Sequence, residues 1–328
     1  MFPYCRRDFD GSICHRQDKC PLLYRGGSMG SFSRITGGIG TAALAGIALG
    51  TAPPPAQAMP GLAKVVNVPC DPDALVTAIR TANGIGVAQL LLAPNCVYNY
   101  TTANATDDAL PIITGDITLV GGPGTKIRRD PAAPGAFRIL EVASGATLHA
   151  QGIFVLGGST AAVGGGILNA GTIVLERVYL AGNRAGNGGA LANSPNANAN
   201  ISFSELNANE ATGVGGGAIL NFGTLTMFRS TLAGNSAPIN GGGLNTQPNG
   251  VSHLIQSTVD HNISGSLGGG ISNLGTTTLD HSLVEQNKGS GGGGIATANA
   301  NVSIENSVIR NNMPDNCSPI NTIPGCVG

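Results

Sequence analysis

"GGAILNFGTLTMFRSTLAGN", Gly216–Asn235, decides the fold because the chain writes that phrase repeatedly. Gly164–Asn183 reads "GGGILNAGTIVLERVYLAGN", and Gly268–Asn287 reads "GGGISNLGTTTLDHSLVEQN". Anchored on the closing Asn, the copies end at Asn183, Asn209, Asn235, Asn262, Asn287 and Asn312, in steps of 26, 26, 27, 25 and 25 residues. Three places before each Asn stands an aliphatic residue: Leu180, Leu206, Leu232, Val259, Val284, Ile309. Eight places before it stands another: Leu175, Ile201, Met227, Leu254, Leu279, Ile304. Five before it comes a small residue, Val178, Ser204, Ser230, Ser257, Ser282 or Ser307.

The stretches between these columns are too short for helices and rich in β-branched residues. Their alternation predicts two short strands with a bend between them. Each "GGG" marks a turn that needs positive φ or close backbone approach. Short strands repeating about every 25 residues are the signature of a parallel β-solenoid. Stacking puts like residues on like, so aliphatic columns fill the interior and the Asn amides form a hydrogen-bonded ladder. A second column, Asn169, Asn193, Asn221 and Asn273, is read the same way. Asn169, Gly171 and Asn183 also recur at steps of 52 residues, so the duplicated unit is a pair of coils. With "ATLHAQGIFVLGG", "IITGDITLVGGPGTKIRR" and "AQLLLAP" upstream, about eight to nine coils span roughly 40 Å.

Both ends of a solenoid expose edges and core, so both need caps. "DPDALVTAIRTANG" predicts a capping helix over residues 72–83, with Asp71 as N-cap, Pro72 at N1 and Gly84 after the last turn. Leu75, Ala78, Ile79 and Ala82 fall on its buried face. The domain reading is therefore an N-terminal cap over 59–97, a parallel β-helix over 98–312 and a C-terminal cap over 313–328.

The first 58 residues stand apart. Arg34 precedes an uncharged apolar run over about residues 35–50, and "PPPAQA" supplies Ala56 and Ala58 as a signal-peptidase pattern. The run is short for a membrane span. Secretion with cleavage after Ala58 is the expectation, with residues 1–28 an upstream extension and Met29 an alternative start. Cys5, Cys14, His15 and Cys20 in that extension lack a CxxC pair, which argues against a zinc site. Cleavage leaves Cys70, Cys96, Cys317 and Cys326. In an oxidising compartment these read as Cys70–Cys96 and Cys317–Cys326 disulfides, the alternative being two buried thiol pairs. It also removes six Lys/Arg and three Asp/Glu, leaving 11 against 15 and a net charge of −4. No basic stripe remains, so nucleic acid is excluded as an expected partner. Gly reaches 51 of 328 residues without a three-residue period, which excludes collagen, and 41% hydrophobic content argues against disorder.

"CDPDALVTAIRTANG…LAPNC" and the "GGGISNLGTTTLDHSLVEQN" coils resemble secreted right-handed parallel β-helix proteins of the pectin-lyase-like superfold, over roughly residues 65–328. "GGAL" at 188–191 and "GGAI" at 216–219 resemble half of the polymorphic outer-membrane-protein repeat, whose FxxN half appears here as "LAGN"-type variants. The first resemblance implies a fold shared with polysaccharide lyases and hydrolases, which work with clustered carboxylates and, in lyases, calcium.

Four carboxylates are the candidates for such chemistry. Asp260 and Glu285 lie two places before the repeat Asn, with Arg310 next in the column and His261 beside Asp260. Neighbouring coils would bring the two carboxylates to roughly 5 Å, the spacing of a retaining glycosidase. Asp280 and Glu305 form a second column seven places before the Asn, with His281 adjacent. Both also read as surface charge ladders. Asp107–Asp108 resembles the paired aspartates of polygalacturonases, but that family's NTD and RIK motifs are missing. Arg128, Arg129 and Asp130 with Arg138 and Glu141 read as a groove for an acidic sugar or as a solvated loop. Aromatics total 4% with no Trp, which argues against a stacked sugar platform. The expectation is thus a secreted or cell-surface module for adhesion, carbohydrate contact or structure, with no cofactor and no metal. The alternative is a polysaccharide lyase or glycoside hydrolase, and calcium belongs to that alternative alone. The expected partner is a polysaccharide or cell-surface component, with no membrane span in the mature chain.

Overall fold

The computed structural model describes residues 63–299 and 301–327. The leader, its cleavage after Ala58 and the cysteines before Met29 lie outside the described residues. Strand pairing is parallel throughout and builds a β-solenoid of about ten turns. Sheet A stacks ten strands, from Lys64–Val68 to Val302–Glu305, and sheet B stacks nine, from Val97–Tyr100 to Val308–Arg310. A third face holds eight, from Leu140–Val142 to Cys317–Ser318, and four two-residue pieces from Arg184–Ala185 to Ile263–Ser264 form a small fourth sheet. The turn beyond the repeat count is Lys64–Val68, which pairs with Val87–Leu92 from the far side of the cap helix and carries no turn phrase.

Registers follow the repeat columns. Leu175, Ile201, Met227, Leu254, Leu279 and Ile304 are successive partners in sheet A, as are Leu180, Leu206, Leu232, Val259, Val284 and Ile309 in sheet B. All are buried except Ile304 and Ile309 on the last coil. Full burial of one such side chain contributes about 1.5–3 kcal/mol.

The Asn column is a continuous ladder. Asn183, Asn209, Asn235, Asn262 and Asn287 each donate their Nδ2 to the Oδ1 of the next Asn at 2.8–3.0 Å, ending on Asn312. Each of those Oδ1 atoms also accepts the backbone N–H of the preceding ladder Asn, at 2.9–3.0 Å. A serine ladder runs beside it, because the backbone N–H of Val178, Ser204, Ser230, Ser257 and Ser282 each donates to the Oγ one coil on, at 2.9–3.2 Å. The second Asn column starts as read, Asn169 to Asn193 to Asn221. Between Asn221 and Asn273 the register position is Thr246, and Ser252 and Thr277 relay the bonds. Asn245, one residue earlier, is fully buried beside Leu220 and Ser272, and its amide has no partner among the described residues.

In the triples Gly164–Gly166, Gly241–Gly243 and Gly268–Gly270 the first glycine has positive φ, as at Gly241 (58°). The third lies against the ladder: a Cβ on Gly243 would come within 2.8 Å of the Gly270 carbonyl and 3.2 Å of the Asn262 amide carbon. The bend between sheets A and B also needs positive φ, yet its residues are Arg177, Phe203, Arg229, Gln256, His281 and Asn306.

Helix α1 spans Pro72–Ile85, with the Asp71 carboxylate accepting the Asp73 N–H at 2.9 Å. It runs two residues past the expected end at 83, so Gly84 lies inside it and Gly86 (φ 90°) caps it. The physical reason is Asn83, whose amide donates to the Ile112 carbonyl at 2.7 Å and accepts the Thr114 N–H at 2.8 Å, tying the last turn to the next coil. The buried face is Leu75, Val76, Ile79 and Ala82, with Ala78 partly buried. Both expected disulfides form, Cys70–Cys96 and Cys317–Cys326. At the far end Asn316 terminates the ladder, accepting from Asn312 and donating to the Val327 carbonyl.

Candidate functional site

With the repeated columns turned inward, chemistry is left to outward positions. Asp260, Glu285 and Arg310 are in-register neighbours at the ends of successive sheet B strands. Arg310 Nε donates to Glu285 Oε2 at 2.9 Å. Asp260 Oδ2 meets His261 Nδ1 at 3.0 Å, while its Oδ1 is enclosed without a partner among the described residues. Asp280 and Glu305 are neighbours at the ends of sheet A strands, and Asp280 Oδ1 meets His281 Nδ1 at 2.6 Å. His261 and His281 both occupy positive-φ bends, which aim them out to solvent. The two carboxylate pairs therefore belong to the edges of different sheets. Among the described residues no group of three or more His, Cys, Asp and Glu is arranged to hold a metal ion.

The five residues read as one groove or loop divide into two clusters. Arg138 and Asp108 are buried, and Arg138 Nη1 lies 2.8 Å from Asp108 Oδ1 and 3.1 Å from Glu141 Oε2. Its Nε and Nη2 donate to the Gly164 and Val163 carbonyls. Burial raises the pKa of Asp108 against the opposing pull of Arg138, and burial followed by the charge of Asp108 raises that of Glu141. This cluster ties three coils together inside the protein. Arg128 instead donates to Asn99, whose amide donates to Asp130 and lowers its pKa. Arg129 donates to the Ala133 and Gly135 carbonyls.

Surface aromatics are the feature that whole-chain composition concealed. Phe154 and Tyr179 are stacked neighbours in sheet B, with ring centroids 5.5 Å apart. Phe203 and Phe228 meet edge to face at 5.5 Å on the adjoining bend. Alignment on the repeat Asn would have found three of them, since Tyr179, Phe203 and Phe228 fall on consecutive coils at offsets −4, −6 and −7, while Phe154 lies on a coil without that Asn. No family model matches the chain, and neither a curated protein nor a solved structure matches it.

Proposed function

We propose that this chain is a secreted or cell-surface β-helix that works without catalysis, as an adhesion, carbohydrate-contacting or structural module. The observation that carries this reading is Glu285: half of the best-spaced carboxylate pair is engaged by Arg310 in a linear charge ladder. A retaining mechanism needs one free nucleophile and one proton donor facing a common sugar. Two disulfides fit an oxidising compartment, and the 35–58 leader reading agrees with export. Among the described residues no helix is long and apolar enough to cross a membrane. The right-handed pectin-lyase-like superfold and the polymorphic-repeat kinship remain part of this proposal, resting on the cap and "GGAI" phrases.

The second reading, a polysaccharide lyase or glycoside hydrolase, is favoured by the unpartnered Asp260 Oδ1 beside Glu285. Reducing-end and unsaturated-product assays on a polysaccharide panel, with and without calcium, separate the two. No turnover is expected. Turnover that Asp260→Asn abolishes would establish the enzyme instead.

A further inference from the structure

Eight aromatic residues lie among the described residues, and four of them make a strip of two ring pairs, Phe154–Tyr179 and Phe203–Phe228, on consecutive coils beside the bend between sheets A and B. Cations are interleaved with them. Lys126 Nζ stands 5.9 Å from the Phe154 ring, Arg177 is 5.7 Å from Phe203, and Arg229 is 5.9 Å from Phe203 and 5.0 Å from Phe228. Phe203 is 45% exposed. Among the described residues Lys126 and Arg229 form no ion pair, while Arg177 pairs with its neighbour Glu176. Arg229 Nε donates to Gln256, which fixes the guanidinium and lowers the ordering cost of a bound anion.

We propose that this strip binds an extended anionic polysaccharide whose acidic groups recur on every second sugar. The inference rests on the carbohydrate-contacting reading above and names its site and ligand class. Rings offer flat apolar faces to the C–H faces of pyranoses, and guanidiniums take carboxylate or sulfate in bidentate geometry. Arg177 and Arg229 occupy the same column two coils apart, about 10 Å at the spacing of paired strands, with Phe203 between them. One coil rises by close to the length of one sugar in an extended glycan, so cation–ring–cation matches acidic–neutral–acidic. A linear polymer suits a narrow strip that follows the solenoid axis. A net negative chain with a few clustered cations favours it over nucleic acid, which needs many phosphate contacts.

The test measures binding of the full chain to hyaluronate, which is acidic on alternate sugars, to polygalacturonate, which is acidic on each, and to neutral dextran. Hyaluronate should bind most tightly and weaken as salt rises. Arg177→Gln/Arg229→Gln should weaken it by about tenfold or more, Phe203→Leu should weaken it with the cations in place, and Asp260→Asn/Glu285→Gln should not weaken it. Equal or tighter binding of polygalacturonate or dextran overturns the spacing argument. Glycan binding untouched by the Arg177/Arg229 and Phe203 variants removes the strip but leaves the carbohydrate-contacting reading standing. No binding to any glycan removes both.

Discussion

The coils carrying residues 120–229 and those carrying 230–327 share one interior and wear different exteriors. The Asn and Ser ladders and both aliphatic columns cross the boundary unbroken. Outside, the first region holds six Lys/Arg, Arg138 being buried, against five Asp/Glu and the four clustered surface aromatics. The second holds two Lys/Arg against five Asp/Glu, and no aromatic residue follows Phe228. Duplication therefore copied what stacks and left the outward positions to diverge. The first exterior suits an anionic polymer; the second would repel one.

Substitutions in the shared interior should have equal and large effects on both sides of the boundary. Asn235→Ala leaves the Asn209 N–H buried without its acceptor, takes one of two acceptors from the Asn209 amide and removes the amide donor to the Leu206 carbonyl, and should cost about 3–5 kcal/mol in urea unfolding. Asn287→Ala, in the second region, should cost the same within about 1 kcal/mol, and a large inequality would show that the ladder is not one uniform element.

Arg138→Met tests whether the first region depends on its internal ion cluster. It strands the buried carboxylate of Asp108 and the partly buried one of Glu141 and should cost about 3–5 kcal/mol near neutral pH. Folded-state pKa values raised above the unfolded ones mean that the deficit opens as pH rises through the carboxylate range. Unfolding at pH 4 should therefore show a smaller loss than at pH 7.

Asn245→Leu should do the opposite, stabilising by about 1–2 kcal/mol, because it replaces an unpartnered buried amide with the residue its neighbour Leu220 already uses. Smallest is the acidic column: Asp260→Asn/Glu285→Gln should move stability by less than about 1 kcal/mol, since Arg310 and His261 are largely exposed.

Legibility in the sequence followed the same division. Leu232, Met227 and Asn235 were readable because periodic residues announce buried columns, and the register of Asp260 with Glu285 came with them. Ser230 was visible only as small; its hydrogen bond to the Ser204 N–H needs the bend geometry. That bend carries Arg, Phe and Gln at positive φ, so no glycine flagged it. Thr246 escaped because a Thr interrupts the Asn column there and its bonds run through Ser252 and Thr277, which no column marked. The helix ran past Asn83 because a tertiary contact to Ile112 and Thr114 outweighed the Gly84 stop signal. The aromatic strip escaped because a 4% average says nothing about four rings placed side by side.

Hyaluronate affinity and the urea midpoint, measured together on Arg177→Gln/Arg229→Gln, separate the repeated columns that hold the fold from the unrepeated strip proposed to bind. Affinity should weaken by about tenfold or more, with a stability loss no greater than about 2 kcal/mol, the worth of a few exposed cation–π contacts. Unchanged affinity together with a collapsed midpoint would contradict that division, by making those arginines part of the scaffold.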